Sequence, residues 1–121
     1  MVERRRHKRF KVQGGAYARF GHHFDKTGQV INISMGGVAI SYSGSNEPLN
    51  ESSELDLFFG KISFCFTKIP FETISDVVVN EAPFSPIITR LRGVQFGQLT
   101  PLHASQLGYV IQNHAIGTEE V

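Results

Sequence analysis

Residues 16–96 are a succession of short runs in which apolar and polar side chains alternate, separated by glycine, proline or polar clusters. A period of two dictates strands, and no long helix can be drawn through such a pattern. The runs fall at residues 16–20, 29–34, 38–42, 55–59, 61–68, 71–80 and 87–96. In the first, Ala16, Ala18 and Phe20 share one side and Tyr17 and Arg19 the other; in the third, Val38, Ile40 and Tyr42 share a side. The second run puts Ile31 and Ile33 towards the core and Val30, Asn32 and Ser34 on the outer face. The 61–68 run turns Ile62, Phe64 and Phe66 inwards, Pro70 interrupts, and the last run sets Leu91, Gly93 and Gln95 against Arg92, Val94 and Phe96. Ten phenylalanines, twelve glycines and no tryptophan fit strands joined by turns.

One segment breaks this rhythm. Thr100-Pro101 reads as an N-cap followed by the first helical residue, and Leu107, Val110, Ile111 and His114 recur on one face. The expected architecture is mainly β: a small antiparallel barrel at residues 13–99, lidded by a helix at 100–116. The polar stretch at residues 43–54 is a solvated loop within that domain. At 121 residues the chain is one domain able to bury a core without disulfides. Its one cysteine, Cys65, is expected to be a buried free thiol, consistent with a reducing, cytoplasmic setting. No apolar run approaches the ~20 residues a membrane span needs, and the charged N-terminus is not a signal peptide.

Ahead of the barrel, residues 1–12 form a basic arm. Six of the twelve Lys and Arg residues lie at positions 4–11 against one acid, Glu3, so the arm carries +5; the six bases and ten acids that follow give −4. A polarised chain with a net charge of only +1 suggests an anionic partner met at one end. Arg5 and Arg9, four residues apart, can converge on one anion, and guanidinium both forks onto phosphate oxygens or guanine edges and stacks on a base. The second run ends in Asn32-Ile33-Ser34-Met35-Gly36-Gly37. Asn32 offers an amide for a base edge and Ser34 a hydroxyl for a phosphate oxygen. The turn at Gly36 and Gly37 offers backbone N–H groups as an anion nest. Adjacent glycines there imply a positive φ or a close approach to the backbone.

The RxxxR of Arg5 to Arg9, followed about twenty residues later by the [D/N]xSxxG of Asn32 to Gly37, resembles the PilZ domain, the bacterial receptor module for cyclic di-GMP. The Gly93-Val94-Gln95-Phe96 run before a terminal helix is similar to the end of that domain. The resemblance implies a six-stranded antiparallel barrel. It also implies that Arg5 and Arg9 grip phosphate and guanine, Asn32 a guanine edge and Ser34 a phosphate, and that Gly37 leaves room for the ligand. Arginine just before the motif, here Arg4, implies two intercalated cyclic di-GMP molecules per site. A receptor of this kind orders its flexible arm on binding and passes the signal to a downstream protein.

Two other functions fit parts of the sequence: a nucleic-acid-binding module using the arm, and an adaptor of the same fold that has lost the nucleotide. Specific nucleic-acid recognition is not expected. Arg19, Arg90 and Arg92 read as strand-surface charges, Tyr17 and Tyr42 as packing residues, and Phe10 as an anchor of the arm. His22 and His23 are adjacent and would point apart in a strand, so no metal site is expected. No nucleophile, paired carboxylates or phosphate loop supports an enzyme, and no cofactor is implied.

Overall fold

The computed structural model describes residues 8–12, 15–20, 27–44, 54–60, 64–81 and 88–118. Its elements run β1 (Phe10–Val12), β2 (Ala16–Phe20), β3 (Thr27–Ile33), β4 (Gly37–Gly44), β5 (Glu54–Phe59), β6 (Phe64–Glu81), β7 (Ile88–Phe96), α1 (Pro101–His114) and β8 (Ala115–Thr118). Six of the strands pair antiparallel in the order β2-β5-β6-β7-β4-β3, and β3 pairs back onto β2, so the ring closes. Closure leaves no free edge within the ring. Two short strands lie outside it: β1 adds to β3, and β8 adds to β1.

The alternating residues fill the interior as their period requires. Ala16, Ala18 and Phe20, Val38 and Ile40, and Leu55, Leu57 and Phe59 are buried in one cluster with Phe66, Ile69, Val94 and Phe96. The helix closes it: Leu107 and Val110 are each 1% exposed, while Leu102 and Tyr109 on other faces are open to solvent. Thr100 caps the helix as its sequence requires, its Oγ1 accepting the N–H of His103 at 3.0 Å. Phe10, the expected anchor, packs against the same cluster from β1, and Tyr42 is buried. The arm's last three residues are therefore a strand.

β3 departs from simple alternation. Gln29 and Val30 pair with Ser41 and Ile40, but Asn32 pairs with Ala39, leaving Ile31 as the extra residue of a β-bulge. Val30, expected outside, is buried in the core, and Ile31, expected inside, is exposed. The extra residue resets the alternation, so Ile33 stays in the core while Asn32 and Ser34 keep the outer face. Covered there by other parts of the chain, they are buried at 6% and 8% exposure.

β6 continues through Pro70, where a break was expected. Up to Pro70 it pairs with β5, and from Phe71 onwards with β7, so one long strand serves two neighbours. The change of partner is prepared at Lys68, whose φ of 57° lies in the left-handed region. Its N–H is taken by Asp56 Oδ1 at 2.9 Å, where the register slips and Thr67 and Lys68 of β6 together face Asp56 of β5.

Two arginines expected on the strand surface are interior. Arg92 is 1% exposed, its guanidinium 4.6 Å from the Phe20 ring centre and 5.7 Å from that of Phe71. Its Nε and Nη2 donate to Thr73 Oγ1 at 3.0 and 2.6 Å. Two aromatic faces and a hydroxyl thus replace water around a delocalised cation, which a lysine could not match. Arg90 is buried beside Asp76, with Nε donating to Oδ1 at 2.8 Å, while Tyr42 donates its hydroxyl to Oδ2 of the same carboxylate. The bond to Asp76 raises the guanidinium's affinity for its proton further. Arg19 is half-buried, paired with Asp56 at 2.6 Å and lying over the Phe58 ring. Cys65, expected in the core, is exposed, because its place opposite Phe58 puts it on the outer face of β6. Local desolvation and then the charge of Asp56 hold its thiol above the usual range, opposed by Arg19. His22, His23 and residues 45–53 of the polar loop lie outside the described residues.

Candidate functional site

The bulge in β3 and the turn into β4 build one wall of a cleft of about 770 Å³ on the outer face of the barrel. Arg9, Asn32, Ser34, Gly36 and Gly37 all line it, so the structure brings together every described residue that the sequence proposed. Arg4 and Arg5 lie outside the described residues. Arg9 reaches the cleft through β1. Phe10 pairs with Ile33 and Lys11 with Asn32, and continuing this register by one residue sets Arg9 opposite Ser34.

Arg9 is the only ionisable side chain among the described lining residues. Among the described residues the cleft therefore has a cation set among apolar and neutral polar groups, with no acid in its lining. That composition suits an anion with flat or apolar parts.

Ser34 organises the turn. Its Oγ accepts the N–H groups of both Gly36 and Gly37 at 3.1 Å, and its own N–H donates to the Gly37 carbonyl at 2.9 Å. The two glycine N–H groups, expected as an anion nest, are thus already engaged by a neighbouring side chain. A hydroxyl has two lone pairs and one proton, so what Ser34 has left to offer is the proton. Its contact with the Gly37 carbonyl at 3.4 Å is long, and the proton is available to an acceptor in the cleft.

Of the two reasons expected for adjacent glycines, Gly37 meets the close approach to backbone. Among the described glycines only Gly15 has a positive φ, so neither Gly36 nor Gly37 is there for backbone freedom. A Cβ on Gly37 would lie 2.1 Å from the Val94 carbonyl oxygen, on the paired strand β7. Gly37 is required by the approach of β4 to β7, on which the cleft floor depends. The Gly36 carbonyl adds to that junction, accepting Phe96 N–H at 2.8 Å.

The opposite side of the cleft was not foreseen. Ile74 and Ser75 of β6 and Leu91, Gly93 and Gln95 of β7 line it, reached across the β4–β7 pairing. Gly93, a glycine inside a strand, was the available signal: it pairs with both Ala39 and Ser75, and its Cβ would stand 2.8 Å from Ser75 Oγ. Tyr17, expected as a packing residue, is exposed and does not line the cleft. Among the described residues no cluster of His, Cys, Asp and Glu could hold a metal ion, and no helix is long and apolar enough to cross a membrane.

The domain is thus a closed six-stranded barrel with a short strand, β1, leading from Arg9 along an outer-face cleft. Residues 3–112 match the model of the PilZ domain, and the chain belongs to that family. Solved structures agree on the fold. The PilZ domain of YcgR from Escherichia coli, determined with c-di-GMP, superimposes with a TM-score of 0.67 at 16% identity, covering 93% of this chain and 92% of that one. MrkH, described as a c-di-GMP-dependent transcription regulatory factor, superimposes with a TM-score of 0.70 at 18% identity over 93% of this chain. The chain spans about half the length of MrkH, 52% of it. The MrkH–c-di-GMP complex from K. pneumonia gives 0.67 at 18% identity, covering 93% of this chain and 53% of that one. No curated protein sequence matches the chain significantly.

Proposed function

We propose that this chain is a cyclic di-GMP receptor without catalytic activity, acting in the cytoplasm. The observation that carries the reading is the cleft itself, in which Arg9 is the only charge among the described lining residues and Ser34 has only a proton to give. Both groups donate, and phosphate oxygens are acceptors. Asn32, beside them, supplies an amide able to pair with a guanine edge. Family membership and the c-di-GMP-bound neighbours support the same ligand.

Arg5 joins Arg9 on the ligand as the arm orders over the cleft, and Arg4 favours a stacked pair of ligand molecules through a third guanidinium. Ordering the arm changes the surface that a downstream protein meets, and that contact is the output. Part of the gross binding energy is consumed in the ordering.

Calorimetric titration of cyclic di-GMP into the full chain and its Arg9→Ala variant tests this. Loss of a charge-assisted contact costs about 1.5–3 kcal/mol, or roughly 10–150-fold in Kd, with about two ligands per chain in the parent. No heat at about tens of micromolar overturns the receptor reading. Tight binding of DNA that collapses with salt, with cyclic di-GMP ignored, supports the nucleic-acid function instead. A stoichiometry near one refutes only the role given to Arg4.

A further inference from the structure

β1 carries Arg9 to the cleft, yet it is a strand of three residues outside the closed ring. Its pairing with β3 rests on Phe10 with Ile33 and Lys11 with Asn32. So short a strand, paired on one edge, is marginal in water. The other edge is taken by β8, the segment following α1: Phe10 pairs with Thr118, Lys11 with Gly117 and Val12 with Ala115, with an irregularity between Lys11 and Val12. β1 therefore has more register pairs with β8 than with the ligand-bearing strand. β8 follows α1 directly, at Ala115, and α1 is fixed to the barrel through Leu107 and Val110.

From this placement we infer that β8 is a clasp for the ligand arm: by pairing with β1 it holds the backbone next to Arg9 in the binding position and so sets the affinity of the cleft. The inference rests on the receptor reading for its ligand but makes a separate claim about β1. In the clasped state, part of the arm's ordering is complete before ligand arrives, and preorganisation of this kind raises affinity. Linkage makes the effect reciprocal: ligand on Arg9 stabilises the β1–β8 pairing by the same factor, and whatever draws β8 away weakens the ligand. The segment after α1 becomes a place where occupancy of the cleft is read and controlled.

The test compares the full chain with Gly117→Pro, which removes an N–H and fixes φ in the edge strand opposite Lys11, and with a chain ending at His114. Amide hydrogen exchange is followed at residues 10–12 and in the barrel strands, together with calorimetric titration of cyclic di-GMP. Expected are barrel amides unchanged in both variants, exchange at residues 10–12 at least about tenfold faster, and a Kd raised on the order of tenfold. Unchanged exchange at residues 10–12 overturns the clasp, as does a loosened β1 with unaltered affinity. If the full chain binds no cyclic di-GMP, the receptor reading falls, and the exchange comparison alone still decides whether β8 holds β1. Should the shortened chain lose its barrel protection, Gly117→Pro carries the comparison.

Discussion

Ser34 and Gly37 show how a binding motif can be structural before it is chemical. Ser34 spends both lone pairs on the N–H groups of Gly36 and Gly37, and its remaining proton makes only a long, 3.4 Å contact with the Gly37 carbonyl. Gly37 is constrained by the Val94 carbonyl whether or not a ligand is bound. Gly37→Ala should accordingly destabilise the fold itself, by about 1–3 kcal/mol for an overpacked contact with main chain, as measured by chemical denaturation without any ligand. A variant as stable as the parent, weakened only in binding, would return Gly37 to the role of a ligand-clearance residue. Arg92 carries a related lesson. Its charge suggested a surface position, but Phe20, Phe71 and Thr73 surround it with aromatic faces and a hydroxyl, so charge alone did not reveal its burial.

Among the elements, β3 decides the site. One extra residue, Ile31, lets the same strand supply Val30 and Ile33 to the core and Asn32 to the cleft. Replacing the bulged residue should therefore be cheap. Ile31→Thr is expected to change stability by no more than about 0.5 kcal/mol, whereas Val30→Thr, which buries a hydroxyl in the core, should cost about 1–3 kcal/mol in the same denaturation assay. The reverse order would restore strict alternation. Most of the fold was legible because a period of two and a capped helix are local signals: the shared sides of β2 and β4 and the Thr100 cap are where the sequence places them. The bulge, the run of β6 through Pro70 and the β1–β8 pairing were not legible, because each depends on a partner distant in sequence. Likewise the motif wall of the cleft could be read from Asn32 to Gly37, while Ile74, Ser75 and Gln95 join it only through the β4–β7–β6 register.

At the scale of the whole molecule, a basic arm of +5 is attached to a body of −4, and the arm meets the body at the cleft through β1. None of the body's described acids lines that cleft: Asp56 and Asp76 are held by Arg19 and Arg90, and Arg9 is the only ionisable group among the described lining residues. Positive charge is thus concentrated where an anion would enter, and the barrel supplies the neutral donors that discriminate among anions. The central claim is that this cleft, with both of its walls, is the cyclic di-GMP site. Backbone amide NMR of the full chain, titrated with cyclic di-GMP, tests it most directly. The largest shifts are expected at Arg9, Asn32, Ser34, Gly36 and Gly37 and, across the cleft, at Ser75 and Gln95. Shifts confined to the arm, or an unchanged spectrum at saturating ligand, would contradict it.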